Sequence, residues 1–201
     1  SNYAIALFSS SNNNNISYNN ATTTSSYAIY LSSSSNNLIQ YNNASTSGSN
    51  IVLITSSNNI LQYNVASGSS SSAFIIILQS SSNNNTIQYN NASSALYQAL
   101  RLDSSSNNTI FQNRFNSTYS LSSSFGTVYL LSSSNNNFTN NIINETNTGA
   151  NVEKPVYIAS GSNNTFTNNT IRSASSATTP AIYTCASPCG NNTFTLNNIT
   201  A

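Results

Sequence analysis

The chain has 201 residues, enough for one domain with a sizeable core, and only 3% are charged against roughly 25% in ordinary globular domains. Four Lys+Arg, three Asp+Glu and no His leave a net charge of +1. That excludes the basic footprint of a nucleic-acid binder and the polybasic stretch that holds a protein on anionic lipid. No apolar run approaches the roughly 18 residues of a membrane span. Neither a signal-type segment nor any Met is present, so the chain is expected to be a processed product whose targeting segment is gone. Apolar residues still make up 37% and cluster at regular spacing, which disordered sequence has no need to do.

In chain order, each repeat opens on an apolar run: AIALF from Ala4, YAIYL from Tyr27, IVLI from Ile51, FIIIL from Phe74, ALRL from Ala99, TVYLL from Thr127, VYIA from Val156 and AIYTC from Ala181. β-branched and aromatic residues dominate, which favours strand over helix. An Asn pair follows each run and leads to an apolar anchor: Ile16, Ile39, Leu61, Ile87, Ile110, Phe138, Phe166 and Phe194. Two residues before every anchor stands Asn (14, 37, 59, 85, 108, 136, 164 and 192). Three residues after it stands another: Asn19, Asn42, Asn64, Asn90, Asn113, Asn141, Asn169 and Asn197. Five after it comes Ala21, Ala44, Ala66, Ala92, Phe115, Ile143, Ile171 or Ile199.

Three short strands per repeat with a corner at each Asn make one coil of a solenoid. The predicted fold is all-β: a single right-handed parallel β-helix over residues 1–201, with coils near 3–26, 27–49, 50–72, 73–98, 99–126, 127–155, 156–180 and 181–201. Equivalent residues then stack about 4.8 Å apart, and eight coils give a rod of roughly 38 Å. Asn at a corner tolerates the left-handed conformation, and its side-chain amide can bond the amides above and below as a structural ladder.

The stretches SSSNNTIFQNRF from Ser104 and GSNNTFTNNTI from Gly161 resemble the β-helix repeats of the NosD family and of carbohydrate-binding and sugar-hydrolase β-helices. The resemblance covers nearly the whole chain. It implies the fold and leaves function open, because this scaffold hosts lyases, hydrolases, adhesins and passive fibres alike. Copper handling of the NosD kind finds no ligands in a chain without His or Met.

Asp103, Glu145 and Glu153 are the whole acid inventory. A glycosidase needs two carboxylates flanking one bond. Glu145 and Glu153 share a predicted loop, Asn144 to Pro155, and are read as solvated, with Lys154 beside Glu153; Arg101 and Asp103 are read as an outward surface pair. No acid cluster suits Ca²⁺. The expectation is therefore no catalytic residue, no cofactor, no metal and no enzyme. Cys185 and Cys189 are read as a local disulfide, which suits an exported protein and stabilises by about 2 kcal/mol in the chain-entropy model. Among many Asn-x-Ser/Thr sequons, Asn20, Asn43, Asn91, Asn116, Asn144 and Asn198 are candidate glycosylation sites. Tyr18, Tyr41, Tyr63 and Tyr89 recur two residues after the anchor, either as a sugar-stacking platform or as an interior or corner stack.

The first strands are apolar at both parities, as strands covered on both faces are. An uncovered second face would be too large an apolar stripe for a monomer, so another subunit or domain is expected on it. The leading functional expectation is an extracellular structural protein, the repeating subunit of a surface filament, with other copies of itself as partner, end to end and through the first-strand face. Its alternative is an adhesin or glycan-binding module of a larger surface protein; an ice-binding solenoid is the third. Acid is expected to leave the fold intact: protonating three carboxylates moves the net charge only from +1 to +4, and few linked groups are lost. Far-UV circular dichroism should show no cooperative loss between pH 5 and 3, and a transition there would contradict this reading.

Overall fold

The computed structural model describes residues 3–69, 74–118, 126–146, 154–174, 180–185 and 189–200. Among these residues, 24 strands of three to six residues form three parallel sheets of eight strands, and no helix is present, long and apolar or otherwise. Each coil contributes one strand to each sheet, as with Ile29–Ser32, Leu38–Gln40 and Asn43–Thr46 in the second. The chain is a right-handed parallel β-helix, and the anchors pair in register from Ile16 to Phe194.

The interior is a set of continuous columns. Ile29, Ile51, Ile76, Leu100, Val128 and Val156 stack in the first sheet; Ile39, Leu61, Ile87, Ile110, Phe138 and Phe166 stack in the second; all are fully buried. The Phe138 and Phe166 rings lie 4.3 Å apart and 5° from parallel.

Two Asn ladders close the corners. In one, Asn90 Nδ2 donates to Asn113 Oδ1 at 3.0 Å and Asn113 Nδ2 to Asn141 Oδ1 at 3.0 Å, in a run that extends from Asn19 to Asn197. In the other, Asn59 Nδ2 donates to Asn85 Oδ1 and Asn108 Nδ2 to Asn136 Oδ1. Each Oδ1 also accepts the backbone N–H of the Asn one coil before, as Asn113 does from Asn90 at 2.9 Å. Buried amides are thereby satisfied along the rod.

The left-handed conformation falls beside the ladders. It is taken by the residue before each second-ladder Asn (Asn13, Asn36, Asn58 and their successors) and by the residue before each first-ladder Asn. That second position holds Tyr18, Tyr41, Tyr63, Tyr89, Gln112, Asn140, Asn168 and Leu196, all with φ between 50° and 59°. The assignment of this conformation to the ladder Asn itself is corrected: the ladder side chain points inward, and the chain turns at its neighbour.

Coil-length differences concentrate between the third sheet and the next first-sheet strand. From Ala44 to Ile51 is seven residues and from Phe115 to Val128 thirteen, while Ala44 lies five beyond Ile39 just as Phe115 lies five beyond Ile110. One corner therefore varies in length from coil to coil.

Candidate functional site

The outward row of the first sheet runs, in register, through Ala6, Tyr30, Val52, Ile77, Arg101, Tyr129, Tyr157 and Tyr183. Val52 is 2% exposed and Ile77 4%, and Tyr3, Tyr27, Ile54 and Phe74 pack against them. Around Tyr30, Val52 and Ile77 the second apolar face is thus covered by side chains of the chain itself, so apolar residues at both parities do not by themselves call for another subunit or domain there. Tyr27 and Phe74 open the apolar runs YAIYL and FIIIL, yet each stands before its strand begins and leans over the outward face. Tyr3 lies 4.8 Å from Tyr30 and Tyr27 5.2 Å from it, both stacked.

Between these aromatics and the variable corner lies a cleft of about 630 Å³ over coils one to four. Val52 and Ile77 form its floor, Tyr3, Tyr27 and Phe74 its aromatic walls, and Ser25, Ser47, Ser49 and Gln79 part of its polar rim. Its rim is drawn tight by contacts between successive turns. Ser47 Oγ donates to the Thr24 carbonyl, Thr46 Oγ1 donates to Ser26 O at 3.2 Å, and a Cβ at Gly48 would collide with that Ser26 carbonyl. Only glycine admits so close an approach.

Two of the four cations, one in this row and one against it, stand farther along. Arg101 donates from Nη2 to Asp103 Oδ2 at 2.7 Å and lies 4.9 Å from the Phe74 ring and 5.4 Å from the Tyr129 ring. The pair faces outward, as its two-residue spacing implies, but is wedged between aromatics. Lys154 lies over Tyr157 and Tyr183, at 5.0 and 4.5 Å. The Tyr129 hydroxyl is held above the ordinary value of 10.0 by burial first, against the lowering effect of Arg101; Tyr157, Asp103 and Tyr97 push with burial. The fold thus favours the neutral phenol. Its contribution to stability is full below pH 10 and lost as pH rises from there through the folded-state value. Tyr129→Phe should lessen the loss of stability above pH 10 in urea titrations; coincident curves for the two proteins would contradict this.

The remaining candidate residues are placed as follows. Glu145 ends the strand Ile142–Glu145 and is 1% exposed, with Ser173 Oγ donating to its Oε2 at 3.1 Å. Its reading as a solvated loop acid is corrected: the position faces the interior of the corner, in register with Ser117 and Ser173. Glu153 lies outside the described residues, and so does its pairing with Lys154. Cys185 and Cys189 are joined by a disulfide, with Cα atoms 5.6 Å apart. Asn20, Asn43, Asn91 and Asn198 are exposed on the outward side of the third sheet. Asn116 and Asn144 are on strands rather than loops; Asn144 is 7% exposed and donates to Asn116 Oδ1 at 3.0 Å, so its amide is engaged within the fold.

Tyr18, Tyr41, Tyr63 and Tyr89 form an exposed corner stack, with ring centroids 4.9 Å apart and planes within 4° of parallel. The interior alternative is corrected by this exposure. The sugar-platform alternative fails on geometry, because the rings cover one another's faces and offer mainly edges and hydroxyls, whereas stacking on a sugar uses a free face.

The sequence profile of the family described as periplasmic copper-binding protein (NosD) matches residues 1–154. No curated protein matches the chain in sequence. Solved structures that share the fold include the following three. The periplasmic alginate epimerase AlgG has a TM-score of 0.65 at 14% identity, over 90% of this chain and 43% of that one. The Azotobacter vinelandii mannuronan C-5 epimerase AlgE4 A-module has 0.53 at 16%, over 92% and 52%. The Streptococcus pneumoniae surface protein and adhesin PfbA has 0.62 at 16%, over 94% and 66%. The chain spans only part of each. Two of the three are enzymes, which overturns the expectation that this chain is not one: the scaffold is shared by epimerases and an adhesin.

A copper site does not fit the residues present. The chain has no His and no Met, and both Cys are in the disulfide. Asp103 is engaged by Arg101, and no group of three or more His, Cys, Asp or Glu occurs among the described residues. Soft and imidazole donors, which suit copper, are missing.

Proposed function

The chain belongs to the NosD family, whose members are described as periplasmic copper-binding proteins, and we propose that this member is a glycan-binding β-helix of the cell envelope or cell surface. The observation that carries the proposal is the cleft over the first sheet. Its volume falls in the range of about 300–1,000 Å³ usual for ligand sites, and it combines aromatic walls with a rim of hydroxyls and an amide. That mixture suits a sugar, which presents an apolar ring face and a hydroxylated edge. The likeness to an adhesin and to epimerases named for alginate and mannuronan supports the reading.

The filament reading has less support. Its lateral contact drew on the apolar outward face of the first strands, and Tyr3, Tyr27 and Phe74 cover that face around Tyr30, Val52 and Ile77. Retention of the folded chain on columns of immobilised polysaccharide tests the proposal. Delayed elution from at least one polysaccharide is expected, abolished in the Tyr27→Ala, Phe74→Ala double variant with its circular dichroism unchanged. Elution with the void marker from every column, or equal delay of the double variant, would overturn it.

A further inference from the structure

We propose that the glycan held in this cleft is uncharged, an inference that rests on the glycan-binding reading and gives its ligand a chemical class. Residues 1–100 contain no Asp, Glu, Lys, Arg or His; the seven charged side chains all lie between Arg101 and Arg172. The cleft is built entirely from the charge-free half, by Tyr3 and by turns and strands up to Gln79. Its polar groups are hydroxyls, backbone and one carboxamide.

A uronate or sulfated chain entering it would surrender the hydration of each anion without a cation to receive it. An unpaired charge moved out of water costs several kcal/mol or more, well above what neutral hydrogen bonds of about 0.5–1.5 kcal/mol each return. The nearest cation cannot supply the pairing. Arg101 lies against Phe74, but its guanidinium is already joined to Asp103 at 2.7 Å, so the pair presents no net charge to the cleft. A neutral sugar meets none of these costs. Each of its hydroxyls both donates and accepts, as the exposed Ser25 does, while Ser47, whose donor is held by Thr24, keeps its acceptor and Gln79 offers a donor and an acceptor on one side chain. Tyr27 and Phe74 add apolar surface to the cleft walls, one face of Tyr27 resting on Tyr30 and the Phe74 ring lying under Arg101.

Charge therefore plays no part in drawing the ligand in, and salt has nothing to screen. The test uses the intact chain on columns of uncharged polysaccharides (a β-glucan, an α-glucan and a galactomannan) and of anionic ones (alginate and polygalacturonate). Each column is run near ~0.01 M and near ~1 M salt, where the Debye length is about 30 Å and about 3 Å. Retention by an uncharged polysaccharide is expected, with dissociation constants at the two salts within about two-fold. Ser25→Lys, at an exposed rim position, should add salt-sensitive retention on the anionic columns that the unmodified chain lacks. Retention of the unmodified chain on the anionic columns alone, weakening with salt, would overturn the uncharged class and leave glycan binding standing. Retention on no column would overturn both.

Discussion

Asn113→Leu will lower the free energy of unfolding by about 2–6 kcal/mol, far more than its conserved volume suggests, because it breaks a ladder rather than a contact. Asn113 Oδ1 accepts from both the N–H and the Nδ2 of Asn90, and Asn113 Nδ2 donates to Ile87 O at 2.8 Å, Phe111 O at 3.1 Å and Asn141 Oδ1 at 3.0 Å. All this lies in a corner where Asn90 and Asn113 are 2% exposed. Leucine leaves the Asn90 N–H and the Ile87 carbonyl each short of a partner, at roughly 1–3 kcal/mol apiece. The control is Asn91→Ala, on the exposed side of the third sheet. Ser105 cannot serve as such a control: it is fully buried, its N–H donating to Ser133 Oγ at 3.0 Å. Equal urea midpoints for Asn113→Leu and Asn91→Ala would show that the ladder contributes nothing.

Phe138→Ala is expected to cost about 3–5 kcal/mol, by lost transfer energy and by the cavity left in the middle of a stack. The ring is fully buried and lies face to face with Phe166. Its neighbours in the column belong to strands fixed by ladder bonds on both sides, so the site cannot collapse to fill the hole. Phe194, in the last coil, is only partly buried, and Phe194→Ala should cost distinctly less. If thermal unfolding gives the two variants the same loss, the columns do not behave as a close-packed interior.

The architecture is legible in the sequence because a parallel coil repeats every interaction at the same offset. An apolar anchor with Asn two before and three after it identifies the second sheet and both corners from Ile16 to Phe194 without ambiguity. The third-sheet column is read as easily, since it follows the anchor by five residues in every coil. The site is less legible, and the reason is geometric. Period-two patterning assigns sides within a strand, yet Tyr27 and Phe74 lie just outside their strands, where parity no longer applies and the turn alone decides where a ring points. The same corner varies from coil to coil, so no repeat predicts that Ser25, Ser47 and Gln79 share a rim. Glu145 is hard to place for a related cause: it ends a strand instead of opening a loop, and its column holds serines. The aromatic at the head of the runs in coils two and four, and just before the run in coil one, is the available signal.

The most direct test of glycan binding in the cleft is amide hydrogen exchange of the chain, measured with and without a saturating uncharged oligosaccharide that its columns retain. The structure predicts slowed exchange confined to the turns at Thr24–Tyr27 and Ser47–Ser49 and to the segment from Phe74 to Gln79, with the exposed Tyr18–Tyr89 corner unchanged. Protection at that corner instead, or along the outward face of the third sheet, would contradict the account.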